Sequence, residues 1–130
     1  MKFKKTITIT TACLIITANI SLGNQCLDFE PSVVDLTGTM KRVVFPGPPN
    51  YESVEEGDEP EVYWVLYLDS EICVNEDRKR DFYAPESKIT FLQLLIGNYD
   101  HYRNLLGNKV IIKGMLTPSF TGHHHTPVML

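Results

Sequence analysis

The chain has 130 residues, with 12 Lys and Arg against 16 Asp and Glu. A chain of this length can form one small domain around a single core but not two. The acidic balance argues against nucleic acid and anionic membrane surfaces as partners, because both repel a negatively charged protein.

The N-terminus has the parts of a secretory signal peptide. Three lysines fall within the first five residues, residues 6–20 are mostly apolar, and the small residues Ser21 and Gly23 mark a cleavage site. We therefore predict a signal peptide at residues 1–23 and a single domain at residues 24–130. The protein is expected to be periplasmic or secreted.

The apolar run of this signal is too short for a comfortable membrane span, and no second run follows it. No membrane span is therefore expected after cleavage. Three lysines and no acidic residue leave with the signal, so the rest of the chain carries 9 basic and 16 acidic residues, a net charge of −7.

Two of the three cysteines remain after cleavage, because Cys13 lies in the signal peptide. An even pair in an oxidising compartment most simply forms one disulfide, here Cys26 to Cys73. A redox or metal-binding thiol pair is the alternative, but the two residues lack the C-x-x-C spacing typical of such sites.

The first half of the domain predicts two strands separated by a long loop. Residues 34–41 alternate between apolar and polar, which is typical of a half-buried strand. Three prolines and a glycine in residues 45–50 then end the strand, and the acidic residues 52–61 prolong a solvated loop. Residues 62–68 are rich in aromatic and branched side chains and predict the second strand, with Trp64 in the core.

The second half predicts three more strands and a helix. Residues 89–96 are apolar except for Gln93, which indicates a covered strand. Residues 98–106 have apolar side chains at helical spacing. Residues 110–116 form the fourth strand, and residues 124–130 form the fifth after a turn.

This order predicts a mainly β fold, a small five-stranded OB-like barrel with one short helix between strands 3 and 4. Gly38 and Gly114 occupy matching places in strands 1 and 4, and glycines inside strands often mark the bends that close a barrel. In an OB-type barrel the loops between strands 1 and 2 and between strands 4 and 5 flank one binding face. Residues 46–60 are therefore expected to approach residues 117–123.

The unusual side chains of these two loops are the predicted ligand-binding residues: Asn50, Tyr51, Glu52, His123 and His125. Three histidines in a row can brace a loop, contact a partner or bind a metal. In a strand, His123 and His125 would share a face and could ligate zinc or copper. Further ligands would have to come from Glu52, Asp58 or His101, which nothing in the sequence places nearby.

Catalysis has little support in the sequence. The chain has no G-x-S-x-G turn, no H-E-x-x-H helix and no phosphate-binding glycine loop, so no catalytic residue is predicted. Tyr63 and Tyr67 are interpreted as cross-strand packing residues, with a stacking platform for a sugar or peptide as the alternative.

Two motifs carry a family resemblance: FPGPPNYES at residues 45–53 and TGHHHT at residues 121–126. With matching positions over nearly the whole domain, the chain resembles a family of exported bacterial proteins, domain of unknown function 4431. The resemblance implies a single exported domain and implies no mechanism.

Two function hypotheses follow. The first is an exported, non-enzymatic binding domain without a cofactor, whose ligand is an envelope protein, an inhibited enzyme or toxin, or a cell-wall fragment. The second is a metal-binding protein that uses His123 and His125 to hold zinc or copper.

Overall fold

The computed structural model of the protein describes residues 25–130. The predicted signal peptide at residues 1–23 and Cys13 lie outside the described residues. Within residues 25–130, no helix has the length and apolar character needed to cross a membrane.

The described chain forms one curled, six-stranded sheet that makes a half-barrel, with the strand order β4-β1-β2-β3-β6-β5. All neighbouring strands are antiparallel except β3 and β6, which are parallel. The elements are β1 (Val33–Pro46), β2 (Pro60–Val74), β3 (Glu86–Gln93), a 3-10 helix (Tyr99–Leu105), β4 (Lys109–Met115), β5 (Thr117–Pro118) and β6 (Val128–Met129).

The mainly β class and the short helix between β3 and β4 are confirmed, but the sheet has six strands where five were predicted. The prediction of a strand over residues 124–130 was wrong, since only Val128 and Met129 are in a strand. Pro127 has no backbone N–H to donate to a ladder. The residues before it bond instead to the side chain of Gln93.

The helix is a 3-10 helix and has no buried residue. The side chain of Asn98 caps it by accepting a hydrogen bond from the N–H of His101 at 3.4 Å. Tyr99 and Leu105 are nevertheless partly buried and pack against the core, and the ring of Tyr99 lies 5.0 Å from that of Trp64, so the helix lies against the core between β3 and β4.

Gly38 allows β1 and β2 to approach closely. A Cβ atom at this position would lie 2.2 Å from the backbone oxygen of Tyr67, which no side chain can do. A residue without a side chain is therefore required where these two long strands coil past each other. The predicted role of this glycine in bending the strand to close a barrel stays a prediction.

The core lies on one face of the sheet. Alternate residues of β1 and β2 point into it, and Trp64 is 5% exposed, as predicted. Leu66 and Leu92 are fully buried on the neighbouring strands β2 and β3. The buried apolar cluster comprises Phe29, Val34, Leu36, Met40, Trp64, Leu66, Val74, Tyr83, Ile89, Leu92, Leu94, Leu116 and Val128.

The disulfide between Cys26 and Cys73 is confirmed, and it joins residues 47 positions apart in the sequence. Next to it, Leu27 forms a parallel bridge with Val74, and its N–H donates to the carbonyl of Cys73 at 2.8 Å. The start of the described chain is therefore fixed to the far end of β2.

Replacing both Cys26 and Cys73 with Ser should lower the free energy of unfolding by about 4 kcal/mol, because the unfolded chain regains the entropy of an open loop. Urea unfolding of a protein that comprises residues 24–130 measures this difference. Alkylation followed by mass spectrometry provides the control: the native protein should take up no label before reduction. Two labelled cysteines in the native protein would contradict the disulfide.

Candidate functional site

The loop between β1 and β2 is organised around the carboxylate of Asp58. This carboxylate accepts hydrogen bonds from the backbone N–H groups of Asn50 at 2.9 Å, Glu52 at 2.8 Å and Ser53 at 2.9 Å. These bonds, the one from Glu52 above all, lower the pKa of Asp58. Asp58 is buried, so the prediction that the whole acidic stretch is solvated was wrong at this residue.

Tyr51 lies at the tip of this loop, in contact with the histidine segment. Its φ of 60° is unusual for a bulky residue, and its N–H donates to the carbonyl of Gly47 at 2.9 Å. Its ring lies edge-on to His123, with 5.7 Å between the ring centroids. A Cβ atom on Gly122 would come within 2.8 Å of the same ring. The two loops expected to converge therefore meet here.

Glu61, at the start of β2, contacts two residues of the histidine segment. Its carboxylate pairs with Nδ1 of His123 at 2.5 Å and with Nε2 of His125 at 2.9 Å. Partial burial alone would raise the pKa of Glu61, but the hydrogen bonds from the two imidazoles outweigh it and lower this pKa. One carboxylate therefore fixes the orientation of both rings.

His125 and His123 differ in exposure. The side chain of His125 is 8% exposed, and its ring stacks parallel to Phe45 at 4.5 Å and lies 5.5 Å from the ring of Tyr63. The side chain of His123 is 52% exposed. His125 is thus a packing residue, whereas His123 can still contact a ligand from solvent.

His124 faces away from Glu61 and stabilises the preceding turn. Its Nδ1 atom accepts a hydrogen bond from the N–H of Phe120 at 2.9 Å, so this nitrogen carries no proton in the folded state. The hydroxyl of Ser119 donates to the carbonyl of His124 at 3.3 Å. Burial, and then the neighbouring His123 and His125, lower the pKa of His124.

Gln93 holds the histidine segment in place from the end of β3. Its side-chain amide donates to the carbonyl of His123 at 3.1 Å and accepts from the N–H of His125 at 2.7 Å. Its backbone N–H donates to the hydroxyl of Thr126 at 3.0 Å, and its carbonyl accepts from the N–H of Leu130 at 3.1 Å. Gln93 is 1% exposed, so water cannot replace these bonds.

The structure thus brings four of the five predicted ligand-binding residues to one surface. Asn50, Tyr51 and Glu52 are exposed on the loop, and His123 is exposed beside them. We call these four residues the Tyr51 edge. The fifth, His125, lies behind it in the packed layer. Their roles in binding stay predictions.

The geometry around Glu61 is that of hydrogen bonds. A zinc or copper ion bound tetrahedrally, with bonds of about 2.0–2.2 Å, holds its ligand atoms about 3.3–3.5 Å apart. The distances from the Glu61 carboxylate to the nitrogens of His123 and His125, 2.5 Å and 2.9 Å, are shorter than this. Over residues 25–130, no group of three or more His, Cys, Asp or Glu side chains is arranged to hold a metal ion. His101 lies on the 3-10 helix, and Asp58 is used by its own loop.

The tyrosines on β2 fit packing better than a stacking platform. Tyr67 stacks on Phe91 with 5.4 Å between the ring centroids, and the Lys41 ammonium lies over the Tyr67 ring at 5.0 Å. Tyr63 packs against His125, and burial followed by the nearby Glu61 raises the pKa of its phenol.

Two residues of the site were not predicted. Glu61 was assigned to the solvated loop, although it has the same parity along β2 as Tyr63 and so points to the same face. Gln93 was noted only as the single polar residue in an apolar strand. A buried polar side chain needs partners, which was the available signal.

Comparison with known protein families gives one match, which covers the histidine segment. Residues 91–130 match the family described as Domain of unknown function (DUF4431). The resemblance is confirmed over this segment, which contains Gln93 and the histidines, while residues 45–53 lie outside the match. No curated protein and no solved structure matches the chain.

Replacing Gln93 with Leu should destabilise the protein by about 1–3 kcal/mol, because the His123 carbonyl and the His125 N–H lose their hydrogen bonds to a buried amide. Urea unfolding followed by Trp64 fluorescence measures the change. Gln25 is exposed and serves as the matched control, since Gln25→Leu should stay within about 0.5 kcal/mol of the native protein. Equal effects of the two substitutions would contradict the bracing role of Gln93.

His124 should make stability depend on pH. Its pKa is lower in the folded protein than the ordinary 6.5, so the unfolded chain binds more protons below that value. Its stabilising contribution is complete above pH 6.5 and is lost as the pH falls toward the folded pKa. Asn can offer an oxygen to the Phe120 N–H without titrating, so His124→Asn should flatten this slope. Urea midpoints at pH 8 and pH 5.5 test this, and unchanged slopes would count against it.

Proposed function

We propose that the protein is an exported, non-enzymatic binding domain that contacts a protein partner of the cell envelope through the Tyr51 edge. The observation that carries this proposal is Tyr51 itself. It is a large aromatic residue, 37% exposed, at the tip of a loop whose shape is fixed by Asp58 and by contact with His123.

A loop held in this way binds at lower entropic cost than a mobile one, because little freedom remains to be lost on association. Tyrosine is enriched among the residues that dominate protein interfaces, since it offers a large apolar surface and a polar end. The exposed imidazole of His123 adds a hydrogen-bonding group next to the ring. The Tyr51 edge therefore has the chemical make-up of a small protein contact.

The charge around the Tyr51 edge favours a basic partner. Residues 43–77 contain no Lys, Arg or His, and Glu52, Glu55, Glu56 and Glu59 are exposed on the loop. Complementary charge steers association and discriminates between partners. A protein with a basic face, such as an envelope enzyme or toxin that this domain inhibits, fits best.

The topology supports an OB-like assignment of the fold. Only Leu116 separates β4 from β5, so the two can be counted as one bent strand and the sheet then has five. The pairing of β1 with β2 and β4, and of β3 with β6, then corresponds to the OB order. In that fold the loops that meet at Tyr51 flank the ligand-binding face.

The disulfide supports export to the periplasm or the medium, because such bonds persist in oxidising compartments and are rare in the cytosol. The signal peptide predicted at residues 1–23 supplies the route. Zinc or copper binding by His123 and His125 is the second hypothesis. Elemental analysis of protein purified without a nickel column tests it, and a stoichiometric metal would favour it over the first.

Tyr51→Asn should abolish capture of the partner from an envelope extract, because Asn tolerates a positive φ but removes the aromatic ring. Phe82→Asn is the matched control: Phe82 also has a positive φ and is 80% exposed, on the segment between β2 and β3. The control should capture the same protein as the native chain. Equal melting temperatures ensure that all three proteins are folded. Identical capture by Tyr51→Asn would remove this residue from the site.

A further inference from the structure

β4 is an edge strand, because it pairs with β1 on one side and stands at the end of the strand order. Two hydrogen bonds at its start fix the phase of its ladder. The N–H of Met40 donates to the carbonyl of Asn108 at 3.1 Å, and the N–H of Gly107 donates to the carbonyl of Met40 at 2.8 Å. Gly107 has a φ of 79°, so this contact is a bulge that opens with a glycine, and the regular ladder begins after it.

The backbone groups of β4 are used alternately from this bulge onward. Hydrogen-bonded and non-bonded pairs alternate along an antiparallel ladder, so Val110 and Ile112 bond to β1, whereas Ile111 and Lys113 direct their N–H and C=O groups away from it. Within residues 25–130, the N–H groups of Ile111 and Lys113 donate no hydrogen bond to a residue outside the ladder. The sheet therefore ends here in free backbone donors and acceptors.

A groove of about 750 Å³ lies beside this free edge. Ile111 and Lys113 line it although their side chains are exposed on the outer face of the sheet, so they border the groove with their backbone. Met40 and Leu94 also line it and are 3% and 2% exposed, as core residues are. Residues 95–98 complete the lining after β3. The groove thus combines an apolar floor with an unused strand edge.

This combination fits an extended peptide that adds to the sheet as a further strand. In that mode of recognition, main-chain hydrogen bonds supply affinity and every second side chain enters a pocket. The part of β4 that lines the groove, residues 110–113, spans roughly 13 Å at the usual rise per residue, which is the length of a short strand. A ligand of any other shape would leave the free backbone groups without partners.

A second copy of the protein fits this edge less well. β4 carries two lysines, Lys109 and Lys113, and pairing β4 with itself would bring four of them together. A second copy would also bring its own β1 to the far side of the added strand, where residues 95–98 line the groove. A single extended segment has neither problem.

We propose that β4 binds an extended segment of a protein partner as an added antiparallel strand, with apolar side chains at every second position. Peptide residues opposite Ile111 and Lys113 turn their N–H groups toward β4 and their side chains to the outer face. The residues between them direct their side chains toward Met40 and Leu94. Charge does not select the peptide, because the Lys113 ammonium already lies 3.5 Å from the Asp35 carboxylate. No residue of the Tyr51 edge lines this groove, so either site can exist without the other.

The probe is the uncharged pentapeptide acetyl-TVTVT-amide, in which valine alternates with threonine. It should bind the disulfide-bonded protein with a dissociation constant on the order of 1 mM. Amide chemical-shift changes should fall on residues 94–98 and 110–113. The absence of shifts at about fivefold that concentration, or shifts confined to the Tyr51 edge, would overturn the proposal.

Methylated peptides test whether the binding is strand pairing. A methyl group on the nitrogen of the central threonine removes an N–H that faces β4, and it should weaken binding at least about tenfold. The same group on the nitrogen of a valine faces away from β4 and should change the affinity less than about threefold. Both peptides have the same composition, so equal effects of the two methyl groups would rule out pairing with β4.

Two proline variants test the free edge itself. Ile111→Pro removes an N–H that β1 does not use, so it should abolish peptide binding at a nearly native melting temperature. Ile112→Pro removes a ladder bond and should lower the melting temperature by at least about 10 °C. Ile111→Ala is the matched control, since it keeps the N–H and should keep the affinity within about threefold. Native affinity in Ile111→Pro, or equal melting temperatures of the two proline variants, would contradict the assigned edge.

Sedimentation equilibrium at the protein concentration of the titration tests the other occupant. The native protein should be a monomer without peptide and remain one with it. A dimer that Ile111→Pro dissociates would overturn the proposal in favour of a second copy at this edge.

Discussion

The structure depends most on one buried amide. All four polar groups of Gln93, two on its backbone and two on its side chain, bond to the segment between His123 and Leu130. The strand in that segment has two residues, and it pairs with β3 at one position and with β5 at two, so its own ladder is short. The amide supplies the missing bonds where water cannot compete. It thereby places the histidines over Glu61 and closes the core above Leu92 and Val128.

Two carboxylates from one acidic stretch complete this arrangement in different ways. Asp58 turns inward and satisfies three backbone N–H groups of its own loop, so the loop keeps its shape without a partner. Glu61 reaches across to the histidine segment and ties that segment to β2. The remaining acids stay in solvent. The acidic residues of this region therefore have three separate roles. One forms hydrogen bonds within its own loop, one connects two loops, and the others give the surface a negative charge.

Much of this could be predicted from the sequence, because the signals were local. Alternation predicted β1, aromatic and branched residues predicted β2, and an even pair of cysteines predicted the disulfide. The convergence of Tyr51 with His123 followed from strand order alone. The partners of single polar groups could not be found in this way. The contact of Glu61 with His123 joins residues 62 positions apart, and no period or spacing records it. The length of the fifth strand was overestimated. Pro127 cannot donate a ladder hydrogen bond, and the histidine segment bonds to the side chain of Gln93 instead of to a neighbouring strand.

The Tyr51 edge joins residues 50–52 to His123, which are far apart in the sequence. This separation has a thermodynamic consequence. Loop and histidine segment meet only when β1, β2, β3 and the final residues are all in place, so the surface does not exist in the unfolded chain. Anything that binds there binds the native state alone and shifts the folding equilibrium by mass action, by about 2.7 kcal/mol at a hundredfold excess over its dissociation constant. A change in the stability of the domain would therefore report that a ligand is bound at this surface, whatever that ligand is.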